Sequence, residues 1–193
     1  MMFPLFETIA ITNSKIQNLA LHQQRYINSL KQFYGKNTLN IHDFSEIIQI
    51  QTALIQTQHA PLIRCRIDYN ATELQVQYFA YQRKTYRTFQ PVICDEIDYG
   101  LKYADRTYLN QLLQQKGDCD EIMIIKQGKV TDCTIGNLIF RQGEVWVTPD
   151  TPLFAGTQRA KLLAANKIQQ RTILLEDIAT FDEVRLINAL NPL

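Results

Sequence analysis

The feature that most restricts this chain is a pair of tight-turn signals in its second half, Gln127-Gly128 and Gln142-Gly143. Each joins two extended runs, 121–126 with 129–133 and 138–141 with 144–148. A connection that short belongs between antiparallel neighbours, because parallel strands need a crossover of a dozen residues or more. Helical patterns interrupt the strands: 105–115, with Leu109, Leu112 and Leu113 as its stripe, and a segment opening at Gly156-Thr157 and running to about 167. Strands at 92–97, 172–175 and 183–188 and a short helix at 176–181 complete the second half. The pattern predicts a mixed sheet with helices packed on it, not a regular doubly wound fold.

The first half reads as a smaller α+β lobe. Residues 6–12 suit a strand, and Leu19, Tyr26, Ile27, Leu30 and Phe33 recur at helical spacing over 18–34, ahead of a capping Gly35. Asp43 and Glu46 form a capping-box pattern before Ile47, Ile50 and Leu54, predicting a second helix that His59-Ala60-Pro61 ends. Two alternating runs follow, 62–69 and 74–80, with Ile63, Cys65 and Ile67 on one face and Arg64, Arg66 and Asp68 on the other. The division expected is a small lobe over 1–90 and a larger lobe over 91–193, with 81–91 as the connection.

Composition narrows the function classes. Twenty Lys+Arg against nineteen Asp+Glu leave a net charge of +1, so no global field draws the chain to nucleic acid or acidic lipid. No apolar run approaches the roughly 20 residues of a membrane span, and the N-terminal segment lacks the basic and apolar regions of a signal peptide, so a cytoplasmic location is expected. Cys65, Cys94, Cys119 and Cys133 fit no zinc or redox spacing and are expected as free thiols. His22, His42 and His59 are dispersed, and no metal site is expected.

Four local features could carry chemistry. Lys102 stands between apolar residues at a strand-to-helix junction, where partial desolvation would make its amine a usable nucleophile; a snorkelling surface lysine is the ordinary alternative. Asp132 interrupts a run of apolar and small residues, where an acid is costly unless paired with a cation or a protonated ring nitrogen; a turn or cap is the alternative. Gly156-Thr157-Gln158-Arg159 at a helix start suits a phosphate, or a plain threonine cap. His22 and Arg25 share one helical face, where Arg25 could hold a phosphate or simply face water.

Taken in order, these blocks resemble the class IV aminotransferase family of pyridoxal-phosphate enzymes, the fold-type IV group. The resemblance covers nearly the whole chain. It runs from Phe6-Glu7-Thr8 through His22-Gln23-Gln24-Arg25, Lys102-Tyr103-x-x-Arg106 and Val130-Thr131-Asp132-Cys133-x-x-Gly136-Asn137-Leu138. It continues through Val147-Thr148-Pro149, Gly156-Thr157-Gln158-Arg159 and Phe181-Asp182-Glu183-Val184 to Asn188-Ala189-Leu190. The ending Asn188-Ala189-Leu190-x-Pro192, together with Thr8, resembles the aminodeoxychorismate lyase branch.

The resemblance implies a small N-terminal α+β lobe and a larger mixed-sheet pseudo-barrel lobe that binds pyridoxal 5'-phosphate. It makes Lys102 the Schiff-base lysine and Asp132 the acid facing the pyridine nitrogen. It places Arg25, Gly156, Thr157 and Gln158 at the phosphate, with the backbone of Asn188, Ala189 and Leu190 as a further turn near it, and gives Thr8 a part in proton delivery. The implied activity is pyruvate release from a small-molecule substrate, aminodeoxychorismate, to give 4-aminobenzoate, a folate precursor. A branched-chain or D-amino-acid type aminotransferase, or a silent relative that only binds, are the alternatives. Substrate carboxylates need cations, and Arg64, Arg66, Arg83 and Arg87 are the candidates. The chain departs from the family's pattern in having aspartate where glutamate is usual, a reach shorter by about 1.5 Å, and Thr157-Gln158 where Ile-Thr is usual. A stripped-down small lobe and a homodimer are expected.

Overall fold

The computed structural model describes residues 2–35 and 39–193. Its chain forms two compact units: residues up to Arg83 together with Leu101–Asp105, and Lys84–Gly100 together with Arg106–Leu193. The segment carrying Lys102 therefore groups with the first unit, although the sequence places it within the larger lobe. The reason is hydrogen bonding. Phe6 N–H donates to the Lys102 carbonyl at 3.1 Å, Ala104 N–H donates to the Pro4 carbonyl at 2.8 Å, and Leu5 and Tyr103 form an antiparallel bridge.

In the first unit, β1 (Leu5–Thr12), β2 (Lys15–Ile16), β3 (Leu62–Tyr69) and β4 (Leu74–Ala80) form an antiparallel sheet in the order β2-β1-β3-β4. Alternation decides its faces. Leu5, Ile9 and Ile11 of β1 join Ile63, Cys65, Ile67 and Tyr69 of β3 in a core closed by α1 (Leu19–Tyr34) through Tyr26 and Leu30. Phe33, expected in the helix stripe, is exposed and packs instead on the rings of Tyr34 and Tyr103. The position that fills the inward face is His22, one turn before Tyr26. The second helix is split into α2 (Phe44–Ile47), capped by Asp43 through Ser45 N–H at 2.7 Å, and α3 (Ile50–Gln56). Ile48 and Gln49 between them take extended backbone.

In the second unit, β5 (Phe89–Ile93) pairs in parallel with β6 (Glu121–Lys126), with α4 (Thr107–Leu113) and a 3-10 turn (Gln114–Lys116) in the connection. The strand expected at 92–97 thus begins earlier, and the helix expected at 105–115 is shorter. β7 (Lys129–Val130) closes the first hairpin, at whose turn Gln127 and Gly128 both have positive φ, 52° and 73°. That is the conformation for which two-residue hairpins favour glycine. A second sheet runs β10-β9-β8-β11, built from β8 (Asn137–Gln142), β9 (Val145–Pro149), β10 (Gln169–Arg171) and β11 (Glu183–Ile187). α5 (Thr157–Ala164) lies in the connection from β9 to its parallel neighbour β10.

The strand expected at 172–175 is replaced by the exposed, polar β10 just before it. Ile173 and Leu175 bond to the first hairpin instead, at Val130 N–H and the Gly128 carbonyl. The four cysteines are free, and Cys119 is the one that is not fully buried. Among the described residues no helix is long and apolar enough to cross a membrane.

Candidate active site

Charged and polar groups collect at two places, one in each unit. In the first unit, β1 carries an acid on its core face. Glu7 occupies an inward position alongside Leu5 and Ile9 and has no solvent exposure. Two residues of α1 meet it. Arg25 donates from Nε to Oε1 at 2.7 Å and from Nη2 to Oε2, and His22 Nδ1 lies 2.8 Å from Oε2. Burial by itself would push the Glu7 carboxyl up. The Arg25 charge and the bonds from His22 and Arg25 outweigh it and hold the pKa at about 2. Burial keeps His22 below its usual pKa, so the neutral ring presents an Nδ1–H donor to Glu7. Arg25, expected at a phosphate, is thus committed through two of its donors to a carboxylate that the sequence reading did not single out.

The opposite face of the same sheet carries cations. Strand register puts Thr8 opposite Arg66 and Gln77 in one row, and Ala10 opposite Arg64 and Phe79 in the next. Arg66 makes a two-point bond to Asp68, 2.7 Å from Nε to Oδ2, while its guanidinium carbon lies 4.1 Å from the Phe6 ring centroid. Lys102 Nζ lies 4.7 Å from the same centroid. Arg64 stands 4.6 Å over the Phe79 ring, and its Nε is buried without a hydrogen-bond partner among the described residues. Arg83 and Arg87 are exposed.

In the second unit the site is a cage around Asp132. This side chain is buried; Asn137 Nδ2 donates to its Oδ1 at 2.7 Å and Phe154 N–H donates to its Oδ2 at 2.9 Å. Burial pushes the carboxyl up to about 7 against these bonds and the charge of Arg159. Asn137 also donates to the Phe154 carbonyl at 2.8 Å and accepts from Gly156 N–H at 3.0 Å, which fixes the turn entering α5. A Cβ on Gly156 would stand 2.3 Å from Asn137 Oδ1, so close approach explains the glycine. Gly156 is the N-cap of α5 and supplies no side-chain cap; Thr157, the first helical residue, is not the cap that sequence allowed. Thr157 and Gln158 are buried.

Arg159 donates from Nη2 to the Pro149 carbonyl at 2.9 Å. Asn188 ties the C-terminal turn. Its Oδ1 accepts from Leu190 and Asn191 N–H at 2.9 Å each, and its Nδ2 donates to the Ile135 carbonyl at 3.2 Å. Ala189 sits inside that turn. Asp132 and Gly156 are therefore joined through Asn137, with Thr157 and Gln158 following Gly156 in α5, and Thr8, Arg25 and Lys102 belong to the first unit. Sequence reasoning missed Glu7 and the central role of Asn137. An acid among the inward positions of β1 was the available signal for the first. The second had only its spacing from Asp132.

The donor set bears on the cofactor that the sequence resemblance implies. A buried carboxyl near pKa 7, with no cation hydrogen-bonded to it among the described residues, suits a protonated ring nitrogen. An α5 N-terminus without a side-chain cap suits phosphate oxygens. These residues fit pyridoxal phosphate. The fit at Arg25 is qualified by Glu7, which takes up much of its charge.

Comparison with known proteins agrees with the architecture. Residues 100–193 match the family described as Amino-transferase class IV. A protein of Haemophilus influenzae with no assigned function is 64% identical over 192 residues, covering 100% of both chains. A crystal structure from Haemophilus somnus, named "putative 4-amino-4-deoxychorismate lyase", is 58% identical with a TM-score of 0.94, over 100% of this chain and 99% of that one. A PLP-bound hypothetical aminotransferase from Mycobacterium tuberculosis shares the fold at 12% identity, with a TM-score of 0.81 over 98% of this chain and 78% of that one. The chain belongs to the class IV aminotransferase family, whose members depend on pyridoxal phosphate.

Proposed function

We propose that this protein is a pyridoxal-phosphate-dependent lyase of the aminodeoxychorismate type, which converts its substrate to 4-aminobenzoate and pyruvate. The observation that carries the reading is Asp132. A buried carboxyl held by a neutral amide and backbone N–H groups, without a hydrogen-bonded cation among the described residues, is costly unless a cationic group joins it. The 58% identical Haemophilus somnus protein bears the matching name and supports the lyase over its relatives.

When bound, pyridoxal phosphate supplies an aldehyde that captures the substrate amine and a ring that draws electrons from the neighbouring carbon. The chain's own residues do the rest. Lys102 would hold the cofactor aldehyde, and its free amine would take the proton from the amine-bearing carbon. Asp132 keeps the ring nitrogen protonated. Thr8 assists the return of a proton to the departing enolpyruvyl group. Arg25 and the α5 N-terminus at Gly156, Thr157 and Gln158 hold phosphate, with the Asn188-Ala189 turn completing it. Of the four candidate arginines, Arg64 is best suited to a substrate carboxylate, because its buried Nε lacks a hydrogen-bond partner among the described residues and it shares a sheet face with Thr8 and Arg66. The active form is a homodimer in the cytoplasm.

Purified protein given pyridoxal phosphate and aminodeoxychorismate should release pyruvate without any keto-acid acceptor, and should elute as a dimer on gel filtration. Lys102→Ala should abolish turnover, a loss of at least about a thousandfold for a residue acting in nucleophilic and acid–base roles. Amine transfer that requires a keto acid would assign the aminotransferase reaction instead. Failure to take up the cofactor would end both readings.

A further inference from the structure

Phe6 is out of place for a strand residue of its size. It belongs to β1 yet lies outside the apolar core of its unit, on the face that carries Thr8, Arg64 and Arg66. It is nevertheless 95% buried, since only 5% of its surface is exposed. Two cations cover it, the Arg66 guanidinium at 4.1 Å and the Lys102 ammonium at 4.7 Å from the ring centroid. Both distances are within the range at which a ring quadrupole attracts a cation. Its backbone is bound to the same lysine, Phe6 N–H donating to the Lys102 carbonyl at 3.1 Å. One residue thus fixes Lys102 at both ends, the main chain by a hydrogen bond and the amine by an aromatic face.

We propose that Phe6 is a positioning residue for the Lys102 amine: its ring face holds the ammonium in place, in competition with Arg66 for the same ring. This rests on the reading of Lys102 as the reactive amine. Asp68 keeps Arg66 in the competition by bonding its guanidinium at two points. The other charged groups disposed about this part of the unit are His22, which feels the Lys102 charge, and its partners Glu7 and Arg25. The ring is therefore a neutral element among charges of both signs. It can hold an amine there without forming an ion pair that would compete with a reaction.

The test reads the amine directly, without cofactor. Trinitrobenzenesulfonate reacts with unprotonated lysine amines, and peptide mass analysis gives the labelling rate at Lys102 relative to the exposed Lys15. Phe6→Leu removes the quadrupole and should raise the Lys102 rate about two- to fivefold, the range expected for one cation–π contact. Phe6→Tyr should restore the wild-type rate, and Phe6→Trp should lower it. Arg66→Gln, which leaves the ring to Lys102 alone, should also lower it, and this variant serves if Phe6→Leu does not fold. Equal rates in the Leu and Tyr variants, or no change on Arg66→Gln, would overturn the proposal. The reading of Lys102 is checked separately, by borohydride trapping of pyridoxal phosphate on that lysine in the wild-type chain. Its failure would leave the trinitrobenzenesulfonate result to stand or fall alone.

Discussion

Glu7 and Asp132 are both carboxyls removed from solvent, one in each unit, and their environments drive them in opposite directions. Glu7 sits under a guanidinium and an imidazole N–H and titrates near 2; Asp132 sits among a neutral amide and a backbone N–H and titrates near 7. Burial raises both. What differs is whether the chain itself supplies the compensating cation. The first unit supplies Arg25 on the same pair of elements that buries the acid, so the site is complete. Among the described residues the second supplies neutral donors at bonding distance, and the carboxyl is held up near 7. A buried acid is thus informative about ligands only after its partners are counted.

The comparison is broken most directly by removing the cation from the complete site. Arg25→Met leaves Glu7 buried beside a neutral imidazole, and breaking a buried pair in this way costs about 3–5 kcal/mol. Urea unfolding of the cofactor-free protein at pH 7 should show that loss. Phosphate binding plays no part in such a measurement. A change below 1 kcal/mol would mean that Glu7 is stabilised by something other than the guanidinium.

Stability as a function of pH should separate the two acids next. Glu7 titrates below its ordinary value of 4.5, so its contribution is present above that pH and is lost as pH falls toward 2. Asp132 titrates above its ordinary value of 3.8, so the protein gains from its protonation below that pH and loses the gain as pH rises through about 7. Linkage puts the two limbs at roughly 3 and 4 kcal/mol. Glu7→Gln should flatten the acid limb and Asp132→Asn the alkaline limb of cofactor-free protein, read as melting temperature from pH 3 to 8. An unaltered alkaline slope in Asp132→Asn would show that this carboxyl is ionised in the fold throughout.

Sequence makes these two acids unequally visible. Asp132 stands out because the residues around it are apolar or small, and burial there follows from the run itself. Glu7 is visible only once β1 is placed. Its inward set is Leu5, Glu7, Ile9 and Ile11, and the acid is the exception in an otherwise apolar alternation. What no local pattern conveys is that α1 would bring Arg25 and His22 onto that position. The hairpins were legible because a glycine after a tight turn and a period of two are local signals. β10 was not: three exposed polar residues become a strand solely because β9 offers a parallel edge, while the apolar 172–175 segment next to them bonds elsewhere. The split of the second helix at Ile48 and Gln49 is similarly hidden, since nothing in those residue types forbids helix. Lys102 was legible as a residue but not in its place, because the bonds that give it to the first unit run to Pro4, Leu5 and Phe6 at the far end of the chain.

The smallest expected effect concerns what holds Asp132 in its neutral cage. Gly156 has an ordinary φ of −72°, so alanine there is not strained by backbone conformation. The cost comes from space, because the added carbon would meet Asn137 Oδ1 at 2.3 Å. Either the amide withdraws or the turn into α5 moves, and overpacking of this kind costs about 1–3 kcal/mol. Either response takes a donor from the acid. Withdrawal of Asn137 removes the donor on Asp132 Oδ1 and should push the carboxyl further up, steepening the alkaline limb of Gly156→Ala relative to wild type. Movement of the turn shifts Phe154 N–H from Oδ2 with a similar result. Glu7 has no part in that network, so the acid limb should be unchanged. A loss of stability that is uniform across pH would show that Asn137 packs the turn without governing the acid, and the cage would then be the work of the backbone N–H groups of the 153–154 segment.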